Sequence, residues 1–218
     1  MLKVIETQDV KKFVDFPFTL YKGCPHYISD LKINLVKLLT KDPFWQNNER
    51  ALFLLYEDDE IIGRVCALTN KAHNGHWKDK MGFFGFFDCI NDTRAANSLF
   101  TAVGNWLWKR GYTTMQGPVN PSTNHTCGVL LDNFDKDPFI MMPYNFPYYN
   151  DLIGSCGFEK AKDLVAFERT DKEEMTPRMQ KLIERFKRNK EITFRPINLK
   201  KFDEEVHKIC KIYNDFTD

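Results

Sequence analysis

The chain has 218 residues and a formal net charge of +1, from 31 basic and 30 acidic side chains. Hydrophobic residues make up 43% and aromatics 14%, which excludes a disordered chain; the 11 Gly and 10 Pro exclude a collagen-like or low-complexity filament. The length suits one large domain, or one domain plus part of another, and the balanced charge gives no global pull toward nucleic acid or an anionic membrane.

Residues 2–7 read as a first strand. Residues 9–22 carry Val10, Phe13, Val14, Phe16 and Leu20 at helical spacing, with Pro17 expected to break or kink the helix. A second apolar-periodic segment spans 30–40, with Asp30 as its expected N-cap. Asp42-Pro-Phe-Trp reads as a loop. A strand meander follows: strands at 51–56 and 61–69 joined by the polar turn 57–60, a polar loop at 70–80, and a third strand at 81–90. That third strand is almost wholly apolar, so both of its faces are expected to be buried. Asn91-Asp-Thr should cap the clearest helix of the chain, 93–110, with apolar residues on i, i+3, i+4, i+7 spacing and Gly111 at its C-terminal end. A strand at 113–117 then predicts a right-handed parallel crossover. Residues 118–150 are too apolar for a disordered linker, and a long ordered loop in a compact domain is usually functional. A short helix over 150–156, a turn at Gly157-Phe158 and a last strand at 162–168 complete the domain.

Beyond Arg169 the character changes. A polar linker over 170–176 precedes a basic amphipathic helix at 177–190, with Thr176 as N-cap and Pro177 at the first helical position. Residues 175–218 hold 11 basic and 7 acidic side chains, a net +4, against −3 for the first 174. The positive charge reads first as a solvated helix face, and second as an anion- or nucleic-acid-binding surface. Val10-Lys-Lys-Phe13 after the first strand has a counterpart in Leu199-Lys-Lys-Phe202 after the strand-like 192–197. The match suggests a second copy of the domain beginning near 192 and cut short. The expected organisation is a domain at 1–170, a linker and basic helix at 171–191, and the start of a repeat at 192–218. The repeat's apolar helix face (Val206, Ile209, Cys210, Tyr213) is expected either to dock on the first domain or to make a homodimer.

The N-terminus has no apolar signal-peptide core, and no apolar run approaches the length of about 18 residues that a membrane span requires. The six cysteines are scattered singly, with no zinc-type Cys/His spacing, so they read as small buried hydrophobes in a reducing cytoplasm. No metal, membrane or nucleic-acid partner is expected. A phosphate-binding Gly loop, a nucleophile elbow and a dinucleotide fingerprint are all missing.

The order strand, two helices, three antiparallel strands, helix, strand, helix, strand is similar to that of the GNAT N-acetyltransferase superfamily. Gly63-Arg-Val, His73-Asn, Gly82-Phe-Phe-Gly-Phe-Phe-Asp88, Gly117-Pro-Val-Asn-Pro, Met141–Tyr149 and Gly157–Asp163 resemble an uncharacterised bacterial branch of tandem GNAT-like proteins. The resemblance covers about 1–170. It implies a mixed α/β (α+β) domain of GNAT-like acyl-CoA N-acyltransferase fold, with a central mixed sheet flanked by helices. The cosubstrate it implies is acetyl-CoA or another acyl-CoA, with an amine as acceptor. The pantetheine arm would lie between the strands at 81–90 and 113–117, pairing with the backbone of Phe86, Phe87, Cys89 and Ile90 as an added strand. Pyrophosphate would sit at the next helix N-terminus near Arg94, Ala95 and Ala96, and Asn120 would meet the pantetheine.

Two departures stand out. The superfamily's Gln/Arg-x-x-Gly-x-Gly/Ala loop is Asn91-Asp-Thr-Arg-Ala-Ala-Asn-Ser here, without glycine. The superfamily's acid, a Tyr four residues before Gly-Phe, falls on Ile153. Direct transfer needs a base for the amine, donors for the thioester carbonyl and an acid for the thiolate. Asp88 is the first choice of base, with His73 and His125 as alternatives. Tyr149 is the candidate acid, and Tyr148, Tyr144 and Asn124 are expected on the acceptor side. A non-catalytic GNAT-like module that binds a small ligand or a partner remains the second reading.

Overall fold

The computed structural model describes residues 1–168, 175–189, 191 and 193–217. They form two compact units, Met1–Leu164 and Val165–Asp218. The first unit is built on strands β1 (Leu2–Thr7), β2 (Arg50–Glu57), β3 (Glu60–Leu68), β4 (Met81–Cys89) and β5 (Thr114–Gln116), which lie side by side in chain order. The first three pairings are antiparallel, and β4 with β5 is parallel over only Met81–Phe83 and Thr114–Gln116. This is the mixed sheet that the GNAT-like resemblance implies.

Period-two alternation sends the strands' side chains to two cores. Ala51, Phe53, Leu55, Val65 and Ala67 meet α4 (Thr93–Trp108) and α5 (Tyr149–Ser155). Leu52, Leu54, Cys66 and Leu68 meet α1 (Val10–Leu20) and α2 (Lys32–Lys41). β4 breaks the alternation: Phe84 and Phe87 lie in the first core, Phe83 and Phe86 in the second. One extra residue sits between them, because Arg64 pairs with Asp88 but Cys66 with Gly85. Phe86 takes φ +49, a left-handed conformation rare for an aromatic residue, and marks the bulge.

Several elements differ from the sequence reading. Residues 70–80 contain the short helix α3 (Lys71–Trp77), because the Asn70 side chain caps His73 N–H and Lys78 closes the helix in a left-handed conformation. Asp30 does not cap α2; Leu31 precedes it with no side-chain cap. Asp42 instead caps a 3-10 turn at Pro43–Gln46, in what reads as a loop. Residues 162–168 form no strand, and Leu164, Val165 and Phe167 are exposed; a strand-like pattern needs a neighbouring edge to pair with, and the local sequence does not supply one. A two-stranded ribbon, β6 (Val119–Asn120) with β7 (Thr126–Cys127), stands in the long loop. The peptide bonds before Pro118 and Pro121 are cis.

Pro17 neither ends nor replaces α1; the helix runs through it to Leu20. A proline has no N–H to donate to the carbonyl four residues back, here that of Phe13. That carbonyl instead accepts from Arg64 Nη1 at 2.8 Å.

In the second unit α6 (Pro177–Arg188) carries the expected Thr176 cap and Pro177 start. α7 (Phe202–Thr217) follows a 3-10 turn at Leu199–Lys201. Residues 193–197 form no strand, and residues 170–174 of the expected linker lie outside the described residues. Among the described residues, no helix is long and apolar enough to cross a membrane.

Candidate functional site

The bulge at Gly85–Phe86 restores Asp88 to the α1 side of the sheet, opposite Arg64. Both side chains are buried, at 11% and 8% exposure. Arg64 Nε and Nη2 reach Asp88 Oδ2 at 2.8 and 2.7 Å, and the guanidinium carbon lies 4.8 Å from the Phe13 ring centroid. On the other carboxylate oxygen, Tyr21 O–H approaches at 3.0 Å and Tyr149 O–H at 3.4 Å. The two phenol oxygens are 3.1 Å apart. Each phenol has one proton, so the pair shares two protons among three oxygens. Tyr149 oxygen also accepts from Cys89 N–H at 3.1 Å, and Tyr148 donates to Cys89 C=O at 2.8 Å. The Tyr21 ring is stacked between Tyr27 and Phe146, with centroids 4.1 and 4.7 Å away.

Burial pushes the Asp88 carboxyl above its usual range, while the charge and hydrogen bonds of Arg64, and then the two phenols, pull it back. A guanidinium keeps its charge in proteins. Ionised Asp88 is therefore the form that leaves no uncompensated buried charge. Asp88, the expected base, is thus enclosed and fully partnered rather than open to a cleft. Tyr149, the expected acid, is its neighbour in the same network.

Burial, reinforced by the Asp88 charge, also pushes the Tyr21 and Tyr149 phenols far above their usual range. A raised phenol pKa means that the unfolded chain releases these protons first. Stability is then full below the unfolded value of about 10 and falls as pH rises beyond it. Each phenol should remove about 1.4 kcal/mol per pH unit above that point. Urea denaturation from about pH 8 to about pH 11 should show this decline, and Tyr21→Phe should flatten its slope by close to one proton. An equal slope in the variant would contradict the assignment.

The edge of β4 beyond Phe83 has no β5 partner, as the expected cofactor cleft requires, but the chain's own side chains occupy it. Asn120 Oδ1 accepts from Phe86 N–H at 2.6 Å. A Cβ on Gly85 would lie 1.7 Å from the Val119 carbonyl oxygen, so only glycine lets β6 come this close. Both Cys89 backbone groups are held by Tyr148 and Tyr149, Ile90 N–H is held by the Ile62 carbonyl, and Phe87 packs on Phe100. At the N-terminus of α4, Asp92 accepts from Arg94 N–H and pairs with the Arg94 guanidinium at 2.8 Å. The Arg94 hydrogen bond holds the Asp92 carboxyl below its usual range. An anion thus already sits where pyrophosphate was expected, and Ala95 and Ala96 are buried against the sheet.

The remaining candidates are separated. His73, on α3, faces Asp79 at 3.3 Å and the edge of Phe83, near the start of β4 rather than the Asp88 end. Tyr144 O–H contacts Cys24 Sγ at 3.2 Å and the Phe134 carbonyl at 3.3 Å; burial pushes its phenol up to about 12. Asn124 donates its backbone N–H to Ser122 Oγ.

His125 stands differently. The β6–β7 ribbon that places Asn120 on the bulge also carries Ser122 and His125 in its turn. Ser122 Oγ lies 2.9 Å from His125 Nδ1, and Asp42 Oδ2 lies 3.9 Å from His125 Nε2. His125 and Asp42 open on a cleft of about 560 Å³ whose lining also includes Asp30, Leu35, Lys37, Leu38, Lys41 and Pro43. Among the described residues no cluster of His, Cys, Asp or Glu could hold a metal ion.

Sequence reasoning missed Tyr21, Arg64, Asp42 and Ser122. Arg64 had a signal: a lone cation inside the apolar run Ile61–Leu68. It also missed Asn145, buried at 5% exposure, which pins the long loop through Leu130 N–H and the Phe146 carbonyl.

No protein-family model matches the chain. It is 31% identical over 213 residues to Protein YghO of Escherichia coli (strain K12), covering 96% of this chain and 54% of that protein. It is 28% identical over 210 residues to the bacterial ceramide synthase of Caulobacter vibrioides, covering 95% and 54%. The chain therefore spans about half the length of these curated relatives. Among solved structures it is similar to an aminoglycoside acetyltransferase from an uncultured soil metagenomic sample, in complex with sisomicin, at 18% identity and a TM-score of 0.46. That match covers 78% of this chain and 97% of the other. It is also similar to AAC(6')-Iy in complex with a CoA bisubstrate analogue, at 13% identity and a TM-score of 0.43, covering 78% and 99%.

Proposed function

We propose that the Met1–Leu164 unit transfers an acyl group from an acyl-CoA thioester to the amine of a long-chain amino alcohol or a similar lipid amine. The observation that carries this is the ribbon at the parting of β4 and β5: it joins the bulge, through Asn120, to His125 on an open cleft. Similarity to a bacterial ceramide synthase along 95% of the chain supports the choice of acceptor, since a ceramide is an amide of such an amine.

His125 is the base in this reading. With Nε2–H turned toward Asp42, Nδ1 keeps its lone pair, and the Asp42 carboxylate compensates the imidazolium that forms. The ammonium first gives one proton to bulk water, and the free amine attacks the thioester carbonyl to form the C–N bond. The nitrogen gives its next proton to Nδ1 in place of the Ser122 contact; the C–S bond breaks, and the imidazolium passes that proton to the thiolate, which leaves as the CoA thiol. Asp30 and Asp42 offer carboxylates to the ammonium beside Lys37 and Lys41, so the lining is polar but charge-balanced, and Leu35, Leu38 and Pro43 offer apolar surface for its chain. A pantetheine arm that pairs with β4 must displace Asn120 from Phe86 N–H, so donor binding and movement of the ribbon are one event.

A second reading, a non-catalytic binding module, is favoured by the Asp92 carboxylate at the start of α4 and by the capped β4 edge. The two separate in one assay. Acyl-CoA and a long-chain amine are incubated with the chain, and thiol release and amide are measured, alongside calorimetry with the acyl-CoA alone. Amide formed in step with thiol supports acyl transfer. No heat and no amide at millimolar acyl-CoA would leave the binding module.

A further inference from the structure

α6 is an amphipathic helix whose apolar strip lies open. On a helical projection, Met179, Leu182, Ile183 and Phe186 fall within about one third of the circumference. Met179, Leu182 and Phe186 are 48%, 52% and 48% exposed. Arg178 and Arg185 border the strip on one side and Lys187 on the other. The single acidic residue, Glu184, sits on the opposite pole and pairs with Arg188 at 3.8 Å. With Lys181, the helix carries five cations and one anion.

A twelve-residue helix with no buried side chain lacks the tertiary packing that normally supplies helix stability. Something must cover its strip. A naked polyanion would bind the basic face and leave the strip wet. A bilayer surface satisfies both halves: acyl chains take the apolar strip, and headgroup phosphates meet the cations on its two borders.

We propose that α6 is an interfacial helix that lies in the headgroup region of an anionic lipid bilayer, apolar strip inward. The assignment goes beyond the acyl-transfer reading and does not depend on it, because it uses only residues of the second unit. It replaces the reading of this charge as a merely solvated face.

The test is flotation of the 218-residue chain with vesicles of phosphatidylcholine alone and of phosphatidylcholine with phosphatidylglycerol. The chain should float with the anionic vesicles only, and less as salt is raised. Leu182→Glu with Phe186→Glu should abolish flotation; Arg185→Gln with Lys187→Gln should weaken it roughly tenfold or more. All four side chains are exposed, so neither variant disturbs a core. Absence of flotation with anionic vesicles overturns the proposal. So does undiminished flotation of the Glu variant, which would mean plain charge attraction. Oligomers abolished by the Glu variant, without flotation of the parent chain, would assign the strip to a second copy and also overturn it.

Discussion

Replacing Asp88 by Asn should lower the unfolding free energy by about 3–5 kcal/mol. The amide would keep the shape and one acceptor oxygen but not the charge, so Arg64, at 8% side-chain exposure, would be left buried without a compensating anion, beside the Phe13 carbonyl and ring. A domain is typically stable by about 5–15 kcal/mol, so the loss is a large part of the total. Urea denaturation reads it directly. The comparison that decides the cause is the double variant Arg64→Met with Asp88→Leu. Removing both charges removes the desolvation cost as well, so the double variant should be more stable than Asp88→Asn alone. If the single variant were as stable as the parent, Arg64 would have to be solvated in solution, contrary to its enclosed position beside Asp88. Any loss of activity in Asp88→Asn is then expected to follow its folded fraction rather than a lost base.

The second large effect is expected at His125. Its replacement by Ala should lower kcat by about 10²–10⁴-fold, the usual worth of a positioned general base. The loss should fall on kcat with the KM for acyl-CoA nearly unchanged, a split that a purely structural role would not give. His125 lies on a loop at the cleft rim with its side chain 29% exposed, so the fold should survive the change. Ser122→Ala, which removes the hydroxyl that meets Nδ1 and accepts from Asn124 N–H, should cost only a few-fold in kcat. An unchanged rate in His125→Ala would remove it from the chemistry and favour the binding-module reading.

What could be read from the residues follows a physical line. The strands β2 to β4 are legible because their apolar runs are long, and α4 because Ala95, Leu99, Val103, Trp106 and Leu107 repeat at helical spacing. α3 is not, because Lys71–Trp77 has no apolar period and rests on the Asn70 cap. Residues 162–168 carry a strand's composition, yet pairing is decided by the availability of an edge, which is non-local. Asp88 is conspicuous as a lone acid in an apolar strand. Its meaning was hidden, because the register that sets it opposite Arg64 depends on one extra residue at Gly85–Phe86. Tyr21, 67 residues away, has no sequence signal of its own.

Pro17 sets where α1 lies along its own axis. A helix held to a sheet only by apolar contacts can slide by a residue, about 1.5 Å, at modest cost. Here one carbonyl in the middle of the helix has no N–H partner, and Arg64 is aimed at it. A slip in either direction would offer Arg64 an oxygen already engaged and would strand the vacant one. The helix is therefore indexed against β3 by a single missing hydrogen. The position of the Tyr21 hydroxyl over Asp88, one turn further along, inherits its accuracy from that index.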